Sequence, residues 1–215
     1  MSSLQLSSPI PKFLSQVSKL VYLNLENNQC TGSIPLSLSE LKNLESLFLE
    51  RNRLIGLMSK SFGQFNIINP PNFYFSHNQL TGSIPKSLGN FNFGLIDLSR
   101  IKLVGDASML FNLDRPTSKI DISWNLFDFD PSIVRFQKGL DILDLSHNRI
   151  RGSIPKQLGQ DVFPMSLFNV SYNQSCGEIP TQTNTRIGFD ESAYIHNRCS
   201  CGQLLESKCK YAKMD

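Results

Sequence analysis

The chain has 215 residues, 40% of them hydrophobic and 18% charged, enough to bury a sizeable core as one domain or a short repeat array. Its 21 basic and 18 acidic residues leave a formal net charge of +3, too mild to argue for nucleic acid, and no strip of clustered Lys/Arg with interleaved aromatics is present. No stretch approaches the roughly 20 apolar residues that would cross a bilayer.

The opening residues, MSSLQLSSPIPKF, carry neither a basic leading stretch nor an apolar run, so they do not read as a secretory signal. Residues 1–20 read instead as a damaged, partial first repeat (LQLSSPIPKFL, 4–14) with no N-terminal cap. Over residues 21–180 the pattern apolar-x-apolar-x-x-Asn recurs: LNLENN (23–28), LFLERN (47–52), FYFSHN (73–78), IDISWN (120–125), LDLSHN (143–148) and FNVSYN (168–173). IDLSRI (96–101) is a seventh copy, with Ile101 where Asn is expected. Successive copies begin 23–26 residues apart. That spelling and that period identify a leucine-rich repeat.

In each copy the two apolar residues are predicted to point inward on a short strand and the residue between them outward. One repeat cannot bury its own apolar face, but stacked repeats share a continuous core. Each fully inward Leu or Ile then contributes roughly 1.5–3 kcal/mol. Asn28, Asn52, Asn78, Asn125, Asn148 and Asn173 are expected to lie buried where the chain leaves the strand, their amides satisfying backbone groups. Ile101 cannot do this, so a weakened turn is expected there. Several copies continue into TGSIP (31–35), TGSIP (81–85), RGSIP (151–155) and CGEIP (176–180). Here Gly permits a bend, while Pro fixes φ and removes a donor.

This extension resembles the plant-specific class of leucine-rich repeats, which implies a short second sheet and 3-10 turns on the convex face. The expected fold is an α/β-type solenoid, mostly β: a right-handed superhelix with a concave parallel sheet and a C-terminal cysteine cap over 181–215.

Alternation places one residue of each strand on the concave face, in the order Asn24, Phe48, Tyr74, Asp97, Asp121, Asp144, Asn169. Three consecutive carboxylates at about 4.8 Å spacing repel one another. They read either as a solvated face partly neutralised by Arg100 and Lys119, or as an acidic strip for a basic partner. A second column reads Asn27, Arg51, His77, Arg100, Trp124, His147, Tyr172. Trp, Tyr and Arg are common interface anchors; alternatively, Trp124 folds over the sheet as local cover. Carboxylates about 5 Å apart would suit a retaining glycosidase. An open sheet offers no water-excluding pocket, however, so no enzyme activity, cofactor or metal site is expected. Two glycosylation sequons fall at Asn169 and Asn173, the second in the buried turn position.

Cys176, Cys199, Cys201 and Cys209 crowd the C-terminal end, as in a disulfide-stapled unit from an oxidising compartment. A zinc site is the competing reading, for which C-S-C is tight. Cys30 stands where the pattern wants Leu and reads as a free, buried thiol.

More specific strings are KSFGQF (60–65), LSR with K and GDAS within 98–108, FNVSYNQSCGEIP (168–180) and SAYIHNRCSCGQLLESKCK (192–210). Together they resemble the plant polygalacturonase-inhibiting proteins, leucine-rich-repeat proteins of the cell wall that bind and block pectin-degrading enzymes. The resemblance implies an N-terminally truncated member, with bridges Cys176–Cys199 and Cys201–Cys209 and an extracellular, cell-wall location. It implies a secreted fungal or insect polygalacturonase, or another extracellular protein, as partner. The concave residues Asp97, Asp121, Asp144, Trp124, Arg100, His77, His147, Tyr74, Phe48, Asn169 and Tyr172 would meet it. A receptor-type signalling module and a non-functional truncated member are the alternatives. Without a cap, Leu4, Leu6, Ile10 and Leu14 are expected to be exposed and to promote self-association through that end.

Overall fold

The computed structural model describes residues 5–65, 70–111, 116–159, 165–180 and 189–209. Thirteen short strands are described. In chain order they are β1 (Tyr22–Asn24), β2 (Ser46–Phe48), β3 (Ile55–Leu57), β4 (Asn72–Tyr74), β5 (Gln79–Gly82), β6 (Leu95–Asp97), β7 (Lys102–Gly105), β8 (Lys119–Asp121), β9 (Leu126–Phe127), β10 (Ile142–Asp144), β11 (Leu167–Asn169), β12 (Cys176–Glu178) and β13 (Cys199–Cys201). One strand per repeat builds a seven-stranded parallel sheet in the order β1-β2-β4-β6-β8-β10-β11, the concave face of the solenoid. A second parallel sheet, β3-β5-β7-β9, comes from the segments that follow the strands, and β12 pairs with β13 in a third. Among the described residues the only helices are 3-10 turns, and none is long and apolar enough to cross a membrane.

The core follows from the repeat. The flanking apolar pairs Leu23/Leu25, Leu47/Leu49, Phe73/Phe75, Ile96/Leu98, Ile120/Ile122, Leu143/Leu145 and Phe168/Val170 are all buried. Where the consensus apolar position carries Phe, an aromatic sub-core forms. Phe73 packs against Phe62, Phe65, Phe75 and Phe93 with ring centroids 4.7–5.8 Å apart. On the convex side Pro11, Pro35 and Pro85 enter 3-10 turns with φ of −67°, −61° and −61°, values the pyrrolidine ring imposes in any case. From these turns Leu38 and Leu88 reach back to close the core, and Phe62 does so from Lys60–Gln64.

The asparagines form a hydrogen-bonded spine. Asn78 is representative: its Oδ1 accepts from the Leu54 N–H of the preceding repeat at 3.0 Å. Its Nδ2 donates to Leu49 O at 2.8 Å and Phe75 O at 3.0 Å. Each rung thus ties two repeats together through backbone groups that would otherwise be buried unpaired. The turn at Ile101 is not weakened in conformation. Arg100 keeps a φ of 52° within the 52–56° of its counterparts, its N–H bonds Ser123 O at 2.9 Å, and the Ile101 side chain joins the core. Apolar burial stands in there for the amide bonds.

Two further features depart from the sequence reading. The first described residues dock on the repeat that follows. Leu6 N–H donates to Asn28 Oδ1 at 3.1 Å, Gln29 N–H to Leu6 O at 2.9 Å, and Pro9 bridges to Thr31. Ile10 is consequently buried, and Leu6 and Leu14 are partly buried against the core; Leu4 lies outside the described residues. At the other end Asn197 adds a rung after Asn173, accepting from Ser175 N–H at 3.0 Å and donating to Val170 O at 3.0 Å. This end carries the disulfides Cys176–Cys199 and Cys201–Cys209, with Cα–Cα distances of 4.4 and 5.0 Å. Cys30 is buried as a free thiol.

Candidate functional site on the concave sheet

The outward residues of the concave sheet stand in one row, because every strand pairs with the next in unbroken register. Asn24 lies opposite Phe48, Phe48 opposite Tyr74, Tyr74 opposite Asp97, Asp97 opposite Asp121, Asp121 opposite Asp144, and Asp144 opposite Asn169. The row is divided by chemistry. Phe48 and Tyr74 stack at 4.5 Å, and three carboxylates follow.

Each carboxylate commits one oxygen to its own turn. Asp97 Oδ1 accepts from Ser99 N–H at 3.0 Å and Ser99 Oγ at 2.8 Å, and Asp121 Oδ1 accepts from Ser123 at 3.1 and 2.8 Å. Asp144 Oδ1 accepts from Ser146 N–H at 2.9 Å, and Asn169 repeats the arrangement with Ser171. The second oxygen of each Asp has no hydrogen bond among the described residues. Nor has any of the three an ion pair, since the only one among the described residues joins Arg151 to Asp128. Asp121, in the middle, feels the consequence. Burial first, and then the neighbouring charge of Asp97, push its pKa up to about 6 against the opposing pull of Ser123.

The second column occupies the turn immediately after each strand. Asn27, Arg51, His77, Arg100, Trp124, His147 and Tyr172 all have φ between 52° and 55°, the left-handed region that non-glycine residues seldom adopt. The spine explains why they accept it. This conformation points each N–H at the next repeat, as in His77 N–H to Ser99 O at 3.0 Å and Trp124 N–H to Ser146 O at 3.0 Å. Held so, the side chains stack. The guanidinium of Arg100 lies 4.3 Å from the Trp124 ring centroid, Trp124 lies 3.7 Å from His147, and His147 lies 4.1 Å from Tyr172. Arg100 therefore covers Trp124 instead of neutralising the acidic row. Lys119 sits on β8 opposite Leu95 and Ile142. Trp124 remains 44% exposed, so it does not act as a buried cover.

Two groups on this face escaped the pattern. His196 continues the file with a φ of 56° and stacks on Tyr172 at 4.3 Å; the His-Asn pair at 196–197, one period after Tyr-Asn at 172–173, was the available signal. Glu26 and Glu50 occupy the turn position where later repeats carry Ser. Burial, then the proton-sharing contact and charge of Glu26 together with the charge of Asp97, push Glu50 up to about 7, opposed by its own backbone amide. No group of three or more His, Cys, Asp or Glu among the described residues could hold a metal ion. Chemically, the face can offer aligned anions, stacked ring edges and cations to a partner surface.

A leucine-rich-repeat family model matches residues 19–41, 43–65, 72–91 and 139–160. The chain is 52% identical over 115 residues to polygalacturonase inhibitor 1 of Arabidopsis thaliana, covering 54% of this chain and 34% of that protein. It is 50% identical over 150 residues to the polygalacturonase inhibitor of Pyrus communis, covering 70% and 44%. The crystal structure of a plant ice-binding protein superposes with a TM-score of 0.90 at 41% identity, over 98% of this chain and 66% of that one. The chain thus spans less than half the length of the curated relatives it matches.

Proposed function

Because this chain belongs to the plant leucine-rich-repeat family of the polygalacturonase inhibitors, we propose that its concave face binds a secreted pectin-degrading enzyme and obstructs its cleft, with no chemistry of its own. One observation carries the reading: Asp97, Asp121 and Asp144 stand in register, each with a carboxylate oxygen uncommitted and no cation paired to it. A parallel sheet normally has both faces covered, and here the bare face bears aligned charge that repels itself. A basic partner surface would relieve that repulsion and gain complementarity. The partner is a fungal or insect polygalacturonase, met in the cell wall. Phe48, Tyr74, Trp124 and Tyr172 would supply apolar area beside the charges.

The test is inhibition of polygalacturonase release of reducing ends by the purified, oxidised protein. Asp97→Asn combined with Asp121→Asn should weaken inhibition about tenfold or more, with a shallower dependence on salt. No inhibition across a panel of fungal and insect enzymes would refute the proposal. Capture of a peptide or receptor partner in its place would favour the receptor-type module. Ice binding, raised by the likeness to a plant ice-binding protein, needs a flat and regular array. The asparagine spine is buried, and the second sheet sets Leu57, Thr81 and Lys102 side by side, both of which weigh against it.

A further inference from the structure

Every histidine of the chain, His77, His147 and His196, stands in the one left-handed file beside the acidic row. The same file holds Arg51 and Arg100, so permanent cations share it with groups that gain charge on acidification. His77 falls between Arg51 and Arg100 in the stack. Burial, and then those two guanidiniums, hold its pKa below the usual value against the attraction of Asp97. His147 is sandwiched between Trp124 and Tyr172 with interplanar angles of 19° and 10°. Burial lowers its pKa, Asp144 opposes, and Arg100 and His196 add to the lowering. The faces of Trp124 and Tyr172 favour the imidazolium and work in the same sense as Asp144. His196 meets Tyr172 on one side, with Asp190, Glu191 and Arg198 in its own segment.

The remaining charges on this face are the carboxylates Glu26, Glu50, Asp97, Asp121 and Asp144 and the ammonium of Lys119, which stands outward on β8 two residues before Asp121. Above neutral pH these five carboxylates face two guanidiniums and one ammonium, a formal charge of −2. As pH falls, Glu50 takes up a proton at about 7 and Asp121 at about 6, and His77 and His147, both held below the usual histidine value, gain charge on acidification as well. Both changes move the face in the same direction and carry its formal charge through zero. We propose that the histidine file makes the concave face a pH-gated docking surface, which holds a basic protein partner at neutral pH and releases it on acidification. This rests on the reading of the face as a partner-binding surface and adds its regulation.

The test uses the full chain and a fluorescent oligolysine peptide with both ends blocked, whose lysines stay charged throughout the range. Anisotropy is read at about pH 7.5 and about pH 5 at fixed ionic strength, and each protein is referenced to its own affinity at the higher pH. The variant is His77→Asn with His147→Asn and His196→Asn. Asn27 already occupies this file, and Asn tolerates the left-handed conformation. The parent should lose affinity about tenfold or more on acidification, and the variant clearly less. Equal losses in the two proteins overturn the proposal, as does failure of the parent to bind the peptide at either pH. Should the triple variant misfold by circular dichroism, His147→Asn alone is read in the same way. The same pair of proteins is then compared against one polygalacturonase over the same pH range, so that the enzyme's own pH dependence cancels. No inhibition alongside gated peptide binding rejects the enzyme target alone; inhibition with identical profiles for the two proteins rejects the gating alone.

Discussion

A left-handed turn residue such as His147 shows how much a single position is asked to do. Its backbone takes a conformation that costs on the order of 1–2 kcal/mol for an L-residue, because only then does its N–H reach the next repeat. Its side chain is thereby committed to the stack between Trp124 and Tyr172. Two carboxylates of the same face are under a different strain. Asp121 and Glu50 are more readily protonated in the folded protein than in the unfolded chain, since burial and like charge oppose ionisation. The fold therefore favours their protonated forms, and the stability they lend is present at low pH and lost as pH rises through about 6 and about 7. Asp121→Asn with Glu50→Gln should thus flatten the decline of the urea midpoint measured from about pH 4 to about pH 7.5. A variant with the same slope as the parent would show that these two groups do not set it.

At the scale of the element, strands of three residues are too short to be stable alone, and what holds them is the layer beneath. In the repeats of β4 and β6 that layer is aromatic: Phe62, Phe73, Phe75, Phe91 and Phe93 are all buried. Phe73 is the hub, with four ring partners. Phe73→Ala should cost about 3–5 kcal/mol of unfolding free energy. Phe73→Leu, which restores the consensus type, should cost markedly less. A loss under 1 kcal/mol for the alanine variant in urea titration would mean that the neighbouring rings collapse into the space. The second sheet depends on a different residue. Gly82 on β5 holds a φ of +81°, which side-chain-bearing residues rarely adopt, and a Cβ there would press on the Leu57 side chain of β3.

Across the whole molecule, each repeat touches chiefly its neighbours, so stability is built up along the stack rather than shared equally. The ends matter most in such an array. The C-terminal end is held by the register of β12 with β13 and by two disulfides. Reduction should therefore loosen residues 176–209 first, at a cost of about 2–4 kcal/mol for the larger loop. Limited proteolysis of the reduced protein should trim the cap and spare β1 to β10. Simultaneous cleavage throughout the chain would indicate a single cooperative unit instead.

Much of this was legible in the spelling. The period placed Leu47 and Leu49 inward and Phe48 outward, and it put Asp97, Asp121 and Asp144 in adjacent repeats at equivalent positions. The structure has all of these where the period puts them. Side-chain alternation is a property of each short strand, and stacking at a constant period merely repeats it, so local pattern suffices. The spelling does not show that His147 lies against Trp124, that Arg100 turns to the indole rather than to the acids, or that each Asp commits an oxygen to Ser. It also missed the rung at Asn197 and the docking of Ile10. These depend on which side chains meet across repeats and on how far water is excluded between them. Only the stacked solenoid decides such distances and burials, because the residues concerned lie two dozen positions apart in the chain.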